Sequence, residues 1–191
     1  MPVGAIVGIV VAGVLILAIV GIVAWAISTR NKFVKMEESV DEAFSTMDVY
    51  LKKRFDLIPN LVECVKGYAK HEKETLTNVI AARSATNTQN MNEKVKAEGE
   101  LTNALSKLMM LQERYPELKA DVQFIDLQNQ LKGIEDEIAH SRKYYNGNVR
   151  NFNTSIRVFP ANLIANMMKL EKKEFFEIDE ASRENVKVSF D

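Results

Sequence analysis

The sequence predicts an all-α membrane protein: an N-terminal transmembrane helix, then an antiparallel bundle of three to four long helices, then a short extended C-terminal tail. Three observations predict this class. An uncharged apolar run opens the chain, apolar residues then recur at steps of three and four, and only four prolines occur in 191 residues. Such periodicity is typical of amphipathic helices that bury their apolar faces against one another.

The apolar run extends from Val3 to Ile27. As a helix, its 25 residues span roughly 37 Å, enough to cross a hydrocarbon core of about 30 Å. A cleaved signal peptide is the weaker interpretation, because no basic residue precedes the run and the run is about twice the usual length. We therefore predict a retained anchor over residues 1–29. Four glycines lie in this run: Gly4, Gly8, Gly13 and Gly21. The pair Gly4 and Gly8, above all, could let two such helices approach closely.

Positive charge is distributed unevenly around the anchor. Arg30, Lys32 and Lys35 follow the run, whereas only the amino terminus precedes it. Lys and Arg are retained preferentially on the cytoplasmic side of a membrane. The sequence therefore predicts a single-pass cell-membrane protein with its N-terminus outside and its C-terminal domain in the cytoplasm.

Residues 30–172 are predicted to form the helical bundle. The first apolar stripe predicts a helix that reaches about Arg83, with a kink or short break at Pro59, which cannot donate a backbone hydrogen bond. A polar loop is expected over residues 84–92. A second helix should then stop near Pro116, and a third, carrying the clearest stripe, should end at Pro160.

A short helix is predicted over residues 162–170, followed by an extended tail over residues 173–191. Apolar and polar residues alternate from Val186 to Phe190, which is the period of an extended strand. We expect the tail to pack on its own bundle or to dock on a neighbouring chain by strand-like addition.

Composition argues against several functions. Lys plus Arg number 25 and Asp plus Glu 26, so the chain lacks the basic field that recruits nucleic acid. The single cysteine, Cys64, cannot form an internal disulfide and is interpreted as a small buried apolar residue. His71 and His140 belong to no ligand pair. No catalytic, cofactor-binding or metal-binding residue is predicted.

Charged runs are interpreted as solvated faces. The consecutive Glu135, Asp136 and Glu137 fan out around a helix and cannot converge on one ion or bond. The run Lys52–Lys53–Arg54 is assigned in the same way, although it could contact anionic lipid if it lies near the membrane.

Four asparagines occur within eight residues of the third helix, which is unusual because asparagine is a mediocre helix former. They could bond a neighbouring helix or the backbone freed near Pro59. Alternatively, they could line a groove that binds a partner. The candidate residues of this groove are Asn60, Tyr145, Asn146, Asn153 and Asn162.

Four segments resemble the LemA family of bacterial membrane proteins in order and spacing. They are 47–72, which includes Leu57-Ile58-Pro59-Asn60-Leu61-Val62; 115–131, which begins Tyr115-Pro116-Glu117-Leu118; 138–156; and 159–190, which begins Phe159-Pro160-Ala161-Asn162. The similarity covers nearly the whole chain after the anchor. Ala161 and Asn166 depart from the serine and glycine that the family commonly has there, which bears on how the short helix ends.

The resemblance implies a LemA-like helical bundle behind one membrane span, and a link to envelope maintenance or, in one branch, to magnetosome membranes. Together with the residues it predicts a non-enzymatic scaffold that self-associates into a homo-oligomer or docks other membrane proteins. The alternative is an adaptor or regulatory subunit of a membrane protease or hydrolase. The lipid bilayer is a predicted partner, and nucleic acid is not.

Overall fold

The computed structural model describes residues 3–177, apart from the side chains of residues 5–7. The helices are α1 Val3–Tyr68, α2 Lys73–Ala85, α3 Met91–Met109, a 3-10 turn Met110–Glu113, α4 Pro116–Ala120, α5 Val122–Ser155 and α6 Ala161–Met167. The predicted all-α class and helical bundle are confirmed. The strand-like pattern predicted from Val186 to Phe190 lies outside the described residues.

The described residues form two compact units. The first contains residues 3–42 and 147–173, and the second contains residues 43–146 and 174–177. The second unit has the larger apolar core, to which six helical segments contribute: Leu57, Ile58, Leu61, Val62 and Val65 from α1; Leu76 and Val79 from α2; Leu101, Leu105 and Leu108 from α3; Leu111 from the 3-10 turn; Leu118 from α4; and Phe124, Leu127 and Leu131 from α5. The first unit buries Phe33, Val40, Val149, Phe152, Ile156 and Ala165.

The N-terminal part of α1 is long and apolar enough to cross a membrane, and it is the one helix of that kind in the described chain. None of the residues in its apolar window is buried. A core helix of a soluble protein would cover such residues with other parts of the chain, whereas a membrane span presents them to lipid. A Cβ atom added at Gly4 or Gly8 would meet open space, so that face of the helix is uncovered.

The sequence predicts a kink or a short break at Pro59. The break is wrong, because α1 continues through this residue to Tyr68. Proline lacks the amide that would bond the carbonyl four residues earlier, at Phe55. The Nε–H of Arg83 donates to that carbonyl oxygen at 2.8 Å. The Arg83 guanidinium also lies 3.6 Å from the centroid of the Phe55 ring. A side chain from α2 thus replaces the missing backbone donor, and α1 stays helical.

A double-mutant cycle tests this replacement. Arg83→Met should lower the free energy of unfolding by about 1–2 kcal/mol, because the Phe55 carbonyl loses its donor. In a Pro59→Ala background the new amide bonds that carbonyl, so Arg83→Met should cost about 1 kcal/mol less. Urea unfolding of the full-length protein in detergent, followed by circular dichroism, measures both. Equal costs in the two backgrounds would contradict the assignment.

The first helix ends at Tyr68 and not, as predicted, near Arg83. A turn over residues 69–72 separates it from α2. Glu72 holds this turn, since its carboxylate accepts hydrogen bonds from Arg114 Nη2 and from the Tyr115 hydroxyl, each at 3.1 Å. These partners lie more than 40 residues away along the chain. The position of the turn therefore depends on tertiary contacts that the local sequence does not show.

The remaining boundaries follow from caps. The loop predicted over residues 84–92 is shorter, because α2 reaches Ala85 and the side chain of Asn90 accepts from the amides of Asn92 and Glu93 to start α3. Asp121 Oδ1 accepts from the Phe124 amide at 2.7 Å and starts α5. This bond, with a second from the Tyr68 hydroxyl, lowers the pKa of Asp121.

Helix α6 is shorter than the predicted 162–170 and ends in a Schellman motif. The amide of Leu170 donates to the carbonyl of Ala165, and the amide of Lys169 donates to that of Asn166. Lys169 occupies the left-handed position, with φ of 55°. The carbonyl of Asn166 therefore accepts a hydrogen bond in the last turn of α6, and the residue that ends the helix is Lys169.

Candidate functional site

In the second unit, the side chain of Asn146 holds the main chain of a segment that forms no helix, residues 174–177. Its Nδ2 donates to the carbonyl of Phe176 at 3.1 Å, and its Oδ1 accepts from the Phe176 amide at 2.8 Å. The neighbouring Tyr145 hydroxyl donates to the carbonyl of Glu174 at 2.9 Å. The side-chain amide of Asn146 therefore bonds both the N–H and the C=O of Phe176, the two groups that a neighbouring β-strand would bond.

The first unit contains the same arrangement. Asn153 Nδ2 donates to the carbonyl of Lys173 and Asn153 Oδ1 accepts from the Lys173 amide, each at 2.9 Å. The Lys173 ammonium lies 2.8 Å from a carboxylate oxygen of Glu37. Asn153 is buried. As in the second unit, the asparagine bonds main-chain atoms. These bonds do not depend on the side chain of the residue that is held.

The other predicted groove residues take different positions. Asn60 is exposed on α1 and Asn162 is half-buried in α6, where its Oδ1 has no hydrogen-bond partner among the described residues. Neither takes part in the bonds to residues 173–176. The three cations assigned to topology are exposed on α1: Arg30, Lys32 and Lys35.

A buried charge cluster lies in the second unit. Arg54 Nη1 donates to Glu135 Oε1 at 2.7 Å and to Thr102 Oγ1 at 3.1 Å, and its Nη2 pairs with Glu98. The Arg54 and Glu98 side chains are 2% and 5% exposed. The interpretation of Arg54 and Glu135 as parts of solvated faces is therefore wrong, because both project between α1, α3 and α5.

Electrostatics ties this cluster together. Burial raises the pKa of Glu98, and the adjacent Arg54 opposes that rise by stabilising the carboxylate. The guanidinium neutralises two carboxylates that would otherwise repel each other. Phe176 lines the small cavity beside Arg54, Glu98 and Glu135. The arrangement joins three helices through the Nη atoms of Arg54, whereas the buried Arg54 Nε has no hydrogen-bond partner among the described residues.

The described residues show little that could perform chemistry. They include no group of three or more His, Cys, Asp or Glu side chains placed to hold a metal ion. Burial and the nearby Asp121 raise the pKa of the Cys64 thiol, which favours the unreactive protonated form.

Comparison with known proteins identifies the family. The model of the LemA family matches residues 43–190. The chain is 24% identical to Protein LemA of Metamycoplasma hominis, over 85% of this chain and 75% of that protein. It is also 24% identical to Magnetosome protein MamQ 2 of Paramagnetospirillum magneticum, over 85% and 70% of the two chains, and 22% identical to Magnetosome protein MamQ of Magnetospirillum gryphiswaldense, over 84% and 69%. Since the family match and these relatives both span most of the chain, the protein belongs to the LemA family.

Proposed function

We propose that this LemA-family protein is a non-enzymatic, membrane-anchored helical scaffold that self-associates and docks other membrane proteins in envelope or membrane organisation. The apolar part of α1 is its anchor. Arg30, Lys32 and Lys35 favour a cytoplasmic domain and an external N-terminus, since they follow the span directly. The magnetosome names of three relatives fit such a role at a membrane.

The observation that carries this proposal is the way in which Asn146 and Asn153 hold the main chain of residues 173–176. Each amide bonds the N–H and the C=O of one residue, Phe176 and Lys173 respectively. Such bonds give affinity without depending on the identity of the bound side chain, as in strand addition. The same two asparagines can therefore take the C-terminal segment of a second copy in place of their own, an exchange that links copies at little cost.

The mass of the full-length protein in mild detergent, measured by light scattering, tests self-association. We expect particles of more than one copy. The variant Asn146→Ala/Asn153→Ala should shift the distribution toward the monomer, whereas Asn151→Ala, an exposed asparagine on the same helix, should not. A strictly monomeric wild type that also yields no cross-linked protein in cells would contradict the proposal.

A further inference from the structure

The first unit exposes an apolar face on and just before α6. Phe159, Leu163 and Met167 are 76%, 53% and 80% exposed. Leu163 and Met167 are four residues apart on α6, and Phe159 lies two residues before the helix begins. Ala165, on the opposite side of the helix, is 1% exposed and faces the core of the unit. We call the three exposed residues the α6 apolar face. Large apolar side chains clustered on a surface mark a contact with lipid or protein.

This face belongs to the same compact unit as the membrane span. The first buried side chains of α1 are Thr29 and Phe33, directly after the apolar run. Within the unit, the segment available to cover them is residues 147–173. Lys173 contacts both Glu37 and Asn153, which places Asn153 at the level of Glu37.

The buried side chains of the first unit place α6 near the end of the apolar run. Ala165 of α6 is buried in the same unit as Thr29 and Phe33, and the part of that unit available to cover these two residues is 147–173, which includes α6. At about 1.5 Å per residue, Phe33 lies only about 9 Å along α1 from Ile27, the last residue of the run.

The charge of the same region favours an anionic surface. Residues 1–36 and 138–170 contain no Asp or Glu. Within the first unit, these two stretches carry six exposed cations: Arg30, Lys32, Lys35, Arg150, Arg157 and Lys169. A second copy presenting the same six cations would be repelled by them, whereas the headgroups of anionic lipids would be attracted.

We propose that the α6 apolar face inserts into the interfacial layer of the leaflet from which α1 emerges, with the six cations over anionic headgroups. Phe159, Leu163 and Met167 would lie at the boundary between headgroups and acyl chains, as the apolar side of an interfacial helix does. The protein then contacts its membrane at two places, the span and α6. The proposal depends on α1 spanning the bilayer but not on self-association.

Site-specific fluorescence on the full-length chain tests this placement. Cys64→Ser removes the single native thiol, and one cysteine is then introduced as Leu163→Cys for an environment-sensitive dye. Two matched variants carry the dye elsewhere in the same unit. Val14→Cys places it in the span, and Glu38→Cys places it at an exposed site on α1 roughly 16 Å beyond Ile27. Each protein is reconstituted into vesicles of phosphatidylcholine, alone or mixed equally with phosphatidylglycerol.

We expect lipid-borne quenchers to reach the dye at 163, and an aqueous quencher to reach it about threefold less than the dye at 38. Equal aqueous quenching at 163 and 38, with position 14 protected, would overturn the proposal while leaving the span intact. Protection of 163 without lipid quenching would also overturn it, since a second copy would then cover the face. Equal lipid quenching in both vesicle types would overturn the role of the cations.

Discussion

Arg54→Ala is expected to lower the free energy of unfolding by about 3–5 kcal/mol, because it leaves the buried carboxylate of Glu98 without its counter-charge. Glu135 would lose its partner too, but its side chain is 33% exposed and can be solvated. Urea unfolding of the full-length protein in detergent measures the loss. Lys52→Ala, two residues earlier, is the matched control. Its ammonium forms an exposed pair with Asp56 at 3.2 Å, so it should cost only about 0.5 kcal/mol or less.

A second variant separates the lost charge pairing from lost packing. Arg54→Met/Glu98→Met replaces the ion pair by apolar side chains, and such replacements are often neutral or stabilising. It should therefore recover most of the stability that Arg54→Ala loses. If Arg54→Ala costs no more than Lys52→Ala, or if the double variant is less stable than Arg54→Ala, the cluster is not the buried charge network that we describe.

The position of Arg54 in the sequence indicates this cluster, although Arg54 also belongs to a run of basic residues. Lys52 is exposed and Arg54 is buried, although both stand in one basic run. Arg54 continues the buried positions Leu51, Ile58 and Leu61 at steps of three and four, so it occupies a core register. A cation within an apolar stripe predicts a buried carboxylate partner. Nothing in the local sequence says that the partners are Glu98 and Glu135, because three helices must first assemble.

At Pro59 the sequence correctly identifies a missing hydrogen-bond donor. Whether the helix breaks there depends on what else can donate to the freed carbonyl. Arg83 supplies that bond from 28 residues away. The spacing of Asn146 and Asn153 likewise indicates a shared face on α5. It does not reveal the occupant, since residues 169–177 form no helix and carry no periodic signal that would match them to α5.

The C-terminal segment provides the second large effect, because one of its side chains is part of the core. Phe176 is 1% exposed and lines the cavity that contains Arg54. Its neighbour Phe175 is only half-buried. The Phe176 ring therefore lies beside the charge cluster, whereas the Phe175 ring does not line that cavity.

Phe176→Ala should therefore lower the free energy of unfolding by about 3–5 kcal/mol, whereas Phe175→Ala should cost about 1 kcal/mol. Both variants keep the main-chain groups that Asn146 bonds, so the difference reports the buried ring alone. Urea unfolding measures it, and limited trypsin digestion gives a local readout. Cleavage after Lys173 should accelerate in Phe176→Ala, because the segment opens more often once its anchor is lost. Equal stability and equal cleavage rates in the two variants would show that the segment is held by its backbone bonds without the ring.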